Sequence, residues 1–160
     1  MTPRTLDMIP TEQGFYVLDT HGWERARSTP FDHLIYDKDC PVDLSKYAVV
    51  RRDFAYVDKS GSAHIATIGF PFDGLTIPRL LWRVAGNPWG RNLPAGVIHD
   101  TICAIAASHP PGKERNRIRL HADKLFAEML EYLGNHPVVE KTWYSAVRSG
   151  GMTTSRRKAE

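Results

Sequence analysis

An almost unbroken apolar run, Leu93 to Ala107, contains an adjacent histidine and aspartate, His99 and Asp100. A helix with so few polar residues has to be buried over most of its surface. An ionised aspartate and a titratable histidine are costly to bury unless they are paired or have a chemical task. The chain must therefore fold so that other elements enclose this helix and supply partners to its two polar residues.

Length and composition describe an ordinary globular chain. It has 160 residues, of which 42% are hydrophobic and 24% charged, and such values are typical of a soluble domain with a buried core. Its two cysteines, Cys40 and Cys103, cannot build a disulfide framework and indicate a reducing compartment or a protein that does not need such bridges. The first residues lack the apolar segment of a signal peptide. No apolar stretch approaches the ~20 residues that cross a bilayer, so we expect no transmembrane segment.

The charge balance is mildly basic. The net charge is +3 at pH 7, and part of this excess lies in the C-terminal Ser155-Arg-Arg-Lys158. A basic bias favours anionic surfaces such as phospholipid or nucleic acid, although a solvated tail explains this segment equally simply. Because the sequence has no basic helix face and no interleaving of aromatic and basic residues, a nucleic-acid-binding module is disfavoured.

The order of patterns along the chain predicts an α+β fold. Strand and loop patterns come first and helical patterns follow, an order typical of that class. We expect one domain over residues 1–160. Antiparallel β hairpins would fill residues 1–75, three to four helices would fill 76–150, and 151–160 would form a basic tail.

The predicted strands are rich in β-branched and aromatic residues. They lie at Gly14–Leu18, at 46–57 and at 63–68. The last two are separated by Asp58-Lys-Ser-Gly61, a sequence that favours a turn. The segment 46–68 therefore predicts a β hairpin.

Four helices are predicted in the second half. The first covers Ile77–Val84, the second about Pro94–Ala107, the third Lys113–Leu133 and the fourth about 137–149. In the third, apolar residues recur with a period of about 3.6 residues, and Gly134 follows as a terminating glycine.

His99 lies at the edge of the buried face of the second predicted helix, and Asp123 lies at the margin of the apolar stripe of the third. If these helices pack antiparallel, the two side chains approach, while Asp100, about 100° further round, points into a cleft. Asp123 would accept a hydrogen bond from one imidazole nitrogen, and the other nitrogen would be free to take a proton from water. Asp100 would be available to a hard cation such as Ca²⁺. A buried pair that only satisfies itself is the alternative.

A second candidate cation site lies upstream, at Asp73-Gly74. The aspartate offers a carboxylate, and the glycine allows backbone carbonyls to turn toward an ion. Asp-Gly is also an ordinary turn sequence. Arg79 and Arg91 are interpreted either as anion contacts or as caps of helix ends.

Three other chemistries use the same residues. Zinc would need His99, His121 and Asp123, but no Cys or His pair has a strong zinc spacing. A helical metal-dependent phosphohydrolase needs another histidine on an upstream helix, whereas His64 lies in a strand pattern. Cys103 as a nucleophile is disfavoured because it lies on a mostly apolar face, where a free cysteine usually acts as a small hydrophobic residue.

A series of short motifs occurs in order over about half of the chain. They are Gly69-Phe70, Asp73-Gly74, Ile77-Pro78-Arg79, Trp82, Gly90-Arg91, Ala95, His99-Asp100, Ala122-Asp123 and Tyr144-Ser-Ala-Val-Arg148. This order and spacing resemble an uncharacterised family of bacteriophage and prophage proteins. The resemblance implies a bacteriophage genome as the context and no established activity.

The same half is similar to the prokaryotic secreted phospholipase A₂ group. Those enzymes have an Asp-containing calcium loop, a helix with His-Asp, and further helices with a distal Asp and with Tyr-x-Ala-Val-Lys. The matching positions are Asp73, His99-Asp100, Asp123-Lys-Leu-Phe126 and Tyr144-Ser-Ala-Val-Arg148.

This resemblance implies a role for each matching residue. His99 would activate water against a glycerophospholipid ester, and Asp123 would orient it. Cys103 stands where the family has an aromatic support for the distal aspartate, and we expect Tyr144 to supply that contact. The expected roles are catalytic for His99, Asp123 and Tyr144, calcium-binding for Asp73, Gly74 and Asp100, and substrate-binding for Arg79 and Arg91.

The sequence thus leads to two functional hypotheses of different class. The first is a phage-encoded hydrolase that cleaves phospholipid esters with the help of Ca²⁺. The second is a non-enzymatic virion or host-modulating protein that keeps the same fold. The expected partners are a phospholipid membrane surface or other phage proteins, and the expected location is the cytoplasm of the infected host or the virion.

Overall fold

A computed structural model describes residues 9–26, 48–72 and 91–157. The chain divides into two compact units, Met1–Pro71 and Phe72–Glu160. Strands lie in the first part of the sequence and helices in the second, so the predicted α+β class is confirmed.

The first unit is built on an antiparallel sheet. Its four strands are ordered β2-β1-β4-β5, and a separate pair is formed by β3 and β6. Tyr16 of β1 lies opposite Ala55 of β4, and Ala55 lies opposite Ile65 of β5. The strands are β1 Gly14–Asp19, β2 Gly22–Arg25, β3 Ala48–Val49, β4 Phe54–Val57, β5 Ala63–Ala66 and β6 Pro71–Phe72.

The hairpin predicted over residues 46–68 is found as β4 and β5, but the long strand predicted at 46–57 was wrong, because the chain leaves strand geometry at 50–53. The backbone N–H of Val50 donates to Phe70 O at 3.0 Å, and Val50 O accepts from Gly69 N–H at 2.7 Å. The Asp53 carboxylate then accepts the Ile68 N–H at 2.6 Å. These contacts lie between β3, which pairs with β6, and β4, which pairs with β1 and β5.

Asp58 organises the turn between β4 and β5. Its Oδ1 accepts hydrogen bonds from the backbone N–H groups of Ser60 and Ser62 and from the Ser60 hydroxyl, at 2.6–3.0 Å. Its Oδ2 lies 2.8 Å from His64 Nε2. Burial opposes ionisation of this carboxyl, but the hydrogen bonds from His64, Ser60 and Ser62 outweigh it and lower the pKa of Asp58 to about 2.

We expect Asp58→Asn to lower the free energy of unfolding by about 2 kcal/mol at neutral pH, the equivalent of the lowered pKa. A depressed carboxyl pKa stabilises the fold above the ordinary value of 3.8 and ceases to do so as the pH falls toward about 2. Denaturant titrations of both proteins should therefore converge as the pH is lowered through this interval. Glu24→Gln, at an exposed position of β2, is the control. A difference in unfolding free energy between wild type and Asp58→Asn that stays constant at all pH values would contradict the prediction.

The second unit contains three described helices, α1 Leu93–Ser108, α2 Lys113–Tyr132 and α3 Pro137–Arg157. The helices predicted at 94–107 and 113–133 are confirmed within one residue at each end. The helix predicted at 77–84 lies outside the described residues. No described helix is long and apolar enough to cross a membrane.

The last helix extends further than its sequence indicates. It was predicted to end before Gly150-Gly151, whereas α3 continues through both glycines to Arg157. Glycine costs about 1 kcal/mol relative to alanine inside a helix, but it does not forbid helical backbone angles. Much of the predicted basic tail, 151–160, is therefore helical.

The helices pack around a common apolar centre. Residues 109–112 join α1 to α2, and Ile98 of α1 is fully buried. From α2 come Phe126 and Met129, also fully buried. The Trp143 ring of α3 meets the Phe126 ring edge-on, with 6.3 Å between centroids. This packing fixes the positions of the polar residues along the same helices.

The predicted stop at Gly134 is found, with a φ angle of +72°. A Cβ atom added there would lie 3.1 Å from Arg91 Nη2. We expect Gly134→Ala to lower the free energy of unfolding by roughly 1 kcal/mol, because non-glycine residues are strained at positive φ. Denaturant unfolding measures this effect, with Ser145→Ala at an exposed α3 position as the control. Equal stability of wild type and Gly134→Ala would contradict the assignment.

Candidate functional site

The side chains of His99 and Asp123 meet between α1 and α2. His99 Nε2 lies 2.8 Å from Asp123 Oδ1, and the two residues are 8% and 5% exposed. His99 is nine residues before the end of α1, and Asp123 is ten residues after the start of α2. Because a short connection joins the two helices, these positions lie at the same level of an antiparallel hairpin. The predicted approach is therefore observed, while the catalytic roles remain a prediction.

Asp100 also faces the imidazole of His99. The sequence predicted that it would lie about 100° further round the helix, away from the core; its side chain is 38% exposed, and its Oδ1 lies 3.4 Å from His99 Nδ1. The flexible side chain reaches back along the helix to the imidazole. The second ring nitrogen was predicted to be free. It instead faces the Asp100 carboxylate.

Cys103 also contacts the imidazole. It lies one helical turn after His99, and its Sγ is 3.7 Å from Nε2 and 3.9 Å from Nδ1. The thiol is a free cysteine of intermediate exposure. The sulfur is thus almost equally far from the two ring nitrogens.

Arg148 is a site residue that the sequence interpretation missed. Its Nη1 donates to Asp123 Oδ2 at 2.9 Å, and its side chain is 39% exposed. One carboxylate of α2 thereby joins α1 to α3. The available signal was a basic residue in the Tyr144-to-Arg148 motif, next to a helix carrying a buried aspartate.

The contact predicted for Tyr144 is made by Arg148 instead. Both oxygens of Asp123 are engaged, one by His99 and one by Arg148. The Tyr144 hydroxyl has no hydrogen bond to any residue in the described ranges. The guanidinium reaches Asp123 because its side chain is long and α3 places it one turn beyond the tyrosine.

The two carboxylates determine the charge of His99. Burial alone would lower the pKa of this imidazole, but the hydrogen bonds with Asp100 and Asp123, with a smaller effect of Cys103, raise it to about 11. Burial likewise opposes ionisation of Asp123, and the contacts with His99 and Arg148 overcome it and lower its pKa. In this arrangement His99 is an imidazolium at neutral pH, with an N–H directed at each carboxylate.

The predicted cation site can be described only in part. Asp73, Gly74 and Arg79 lie outside the described residues. Within the described part of the chain, no group of three or more His, Cys, Asp and Glu side chains is arranged to hold a metal ion. The zinc set of His99, His121 and Asp123 is therefore not assembled within these residues. The calcium set stays a prediction, and its described member, Asp100, has a partly exposed carboxylate of the kind that Ca²⁺ binds.

Arg91 lies at a distance from the pair. Its guanidinium is close to Gly134, which follows α2. Gly134 is eleven residues after Asp123, about 16 Å along a helix. The structure thus places Arg91 at the end of α2, where its charge suits the helix dipole, and its predicted contact with substrate remains untested.

We expect Asp123→Asn to reduce the free energy of unfolding by about 3 kcal/mol, because it leaves His99 and Arg148 without their buried counter-charge. Thermal or denaturant unfolding gives this value. Glu114→Gln removes a carboxylate of the same helix that pairs with Arg117 on the surface, and it should leave the unfolding midpoint nearly unchanged. If both substitutions lower the free energy of unfolding equally, the ion pairs of Asp123 contribute no more to stability than the surface pair of Glu114 and Arg117.

Sequence comparisons identify relatives without assigned roles. Two curated proteins of Sinorhizobium fredii (strain NBRC 101917 / NGR234) are similar: uncharacterized protein y4jT is 34% identical over 65 residues, and uncharacterized protein y4iH is 38% identical over 66. These alignments cover 40% and 41% of this chain but 19% and 27% of the relatives. The chain therefore spans only about a fifth to a quarter of the proteins it matches. No solved structure matches it.

A family model matches residues 48–147. The matched segment includes His99, Asp123 and Tyr144 and ends one residue before Arg148. Because it makes up more than half of the chain, the protein belongs to the family described as "Protein of unknown function (DUF1353)".

Proposed function

We propose that this protein is a hydrolase of phospholipid esters in which His99 activates water and Asp123 orients its imidazole. The observation that carries the proposal is the 2.8 Å contact between His99 Nε2 and the Asp123 carboxylate, whose side chain is 7% exposed. A buried carboxylate behind an imidazole holds the ring in one tautomer and stabilises the imidazolium formed during proton transfer. Asp123 is itself held by Arg148, so its orientation does not depend on the substrate.

The proposal requires Asp100 to move. An imidazolium cannot accept a proton, and His99 is charged while carboxylates face both ring nitrogens. The Asp100 contact is the weaker of the two, because it is 3.4 Å long and its side chain is 38% exposed. Rotation of Asp100 into solvent lowers the pKa of His99 and exposes Nδ1, while Nε2–H stays on Asp123.

The reaction then needs one nucleophile and one proton carrier. Water oxygen attacks the ester carbonyl carbon and loses a proton to His99 Nδ1. The carbon–oxygen bond to the alkoxide breaks, and the leaving oxygen takes that proton from the imidazolium. Fatty acid and lysophospholipid are the products, and His99 returns to its neutral form.

Calcium belongs to the same proposal, with Asp100, Asp73 and Gly74 as its ligands. A carboxylate and a backbone carbonyl are donors of the type that Ca²⁺ prefers. When bound, Ca²⁺ supplies positive charge for the substrate phosphate and for the oxyanion that develops during attack. The bacteriophage context and the likeness to prokaryotic phospholipase A₂ are likewise part of the proposal, and they rest on the order of the motifs.

A second candidate is a non-enzymatic protein that keeps the fold. The observation favouring it is that both nitrogens of His99 face carboxylates. In this case the charged groups of α1, α2 and α3 serve only to hold the helices together. The protein would then act as a virion component or as a binder of a host protein.

Fatty-acid release from phospholipid vesicles tests the two candidates. We expect wild type to release fatty acid in the presence of Ca²⁺, and His99→Gln to reduce the rate roughly a hundredfold or more, the usual contribution of a positioned base. Asp100→Asn removes one proposed calcium ligand, so added Ca²⁺ should no longer raise the rate of this variant. Glu114→Gln, on the surface of α2, should retain the wild-type rate.

The unfolding temperature of His99→Gln, measured in parallel, completes the comparison. A folded His99→Gln protein that has lost its rate supports the hydrolase. No release by wild type at any calcium concentration, together with a large fall in the unfolding temperature of His99→Gln, supports the non-enzymatic candidate and ends the hydrolase proposal.

A further inference from the structure

Arg148 has more donors than its contact with Asp123 uses. A guanidinium carries five N–H donors in a planar fork. The contact with Asp123 Oδ2 is made by Nη1 at 2.9 Å, and no other hydrogen bond of Arg148 is found within the described residues. Since 39% of this side chain is exposed, an arginine with unused donors is accessible to solvent beside a buried ion pair.

Tyr144 lies one turn before Arg148 on α3, so the two side chains share a face of the helix. Tyr144 is partly exposed, and within the described ranges its hydroxyl has no hydrogen-bond partner. The hydrogen bond with Asp123 raises the pKa of Arg148, and Tyr144 contributes electrostatically to that rise, which indicates that the two groups are close. The Tyr144 hydroxyl and the Arg148 guanidinium can thus donate hydrogen bonds to the same ligand.

The four charges around Asp123 cancel in sum but are unevenly distributed, because Asp100 lies beside His99 and not beside Arg148. This carboxylate is buried between two cations, His99 and Arg148. Asp100 provides the other negative charge, but its exposed carboxylate is screened by water. The side of the pair that carries Arg148 is therefore positive and attracts anions.

We propose that Arg148 and Tyr144 form a binding site for an oxyanion, namely a phosphate or phosphodiester group. Arg148 would bind two of its oxygens through the free edge of the guanidinium, as arginine does with phosphate, and the Tyr144 hydroxyl would donate to a third. The placement of this group beside a water-activating His99 rests on the proposed function, since the site would then hold the phosphodiester of the phospholipid. Anion binding itself does not depend on that function.

The test measures binding of two probes, inorganic phosphate and glycerophosphocholine, to the full chain by calorimetry and by NMR titration. Arg148→Lys keeps a cation within reach of Asp123 but removes the fork, and Tyr144→Phe removes only the hydroxyl. We expect each to weaken binding about tenfold. Arg117→Lys, at an exposed α2 position that is 75% exposed, is the matched control and should bind as wild type does.

The two probes separate the possible sources of the oxyanion. Tighter binding of glycerophosphocholine than of phosphate, lost in both variants, supports a lipid headgroup as ligand, and the reverse order supports a free phosphate. Equal weakening by Arg117→Lys, which keeps the charge but removes a guanidinium far more exposed than that of Arg148, shows that the effect is not specific to Arg148 and overturns the site. Because Tyr144→Phe leaves the link between Asp123 and Arg148 in place, unchanged binding in a folded Tyr144→Phe protein also overturns it.

The kinetic arm distinguishes this inference from the hydrolase proposal. Oxyanion binding that is lost in both variants, with no fatty-acid release by wild type, supports the site and rejects the hydrolase. Fatty-acid release with the same KM in wild type, Arg148→Lys and Tyr144→Phe rejects the site and supports the hydrolase. A KM raised about tenfold in both variants, with kcat little changed in Tyr144→Phe, supports both.

Discussion

The Asp123 carboxylate is the electrostatic link between the three described helices. One oxygen lies 2.8 Å from His99 of α1, and the other accepts a hydrogen bond from Arg148 of α3 at 2.9 Å. A carboxylate on a side chain that is 7% exposed cannot remain ionised without such partners. The helical unit is therefore organised around one buried negative charge that two cations share, and the apolar packing of Phe126 and Trp143 keeps the helices at the distance this arrangement needs.

The two carboxylates beside His99 differ in how firmly they are held. Asp123 is buried and bound twice, so it has no alternative partner to adopt. Asp100 is 38% exposed and its contact with His99 is 3.4 Å long, so water competes for that contact. The partner of Nε2 is consequently fixed, whereas water can replace the partner of Nδ1. A structural ion pair does not need this asymmetry, whereas an imidazole that must alternate between charged and neutral forms does.

The sequence allowed prediction wherever the information is local. Apolar periodicity gave the limits of α1 and α2, and equal distances from their connection brought His99 opposite Asp123. Arg148 escaped prediction because its contact depends on how α3 crosses α2 and on the reach of a long side chain. The interruption of the strand pattern near Asp53 escaped for a related reason, since one carboxylate bonded to the Ile68 N–H overrides a run of residues with high β propensity.

Arginine in place of the expected tyrosine contact changes the electrostatics of the pair. A phenol at Asp123 Oδ2 would be neutral and would leave the whole carboxylate charge to His99. Arg148 shares that charge, so it weakens the hold of Asp123 on the imidazole proton. The same guanidinium keeps donors that Asp123 does not use, one helical turn from the Tyr144 hydroxyl, which has no hydrogen-bond partner within the described residues. Arg148 thus moderates, through Asp123, the proton affinity that Asp100 and Asp123 give to His99, and a ligand bound at Arg148 would act on the imidazole by the same route.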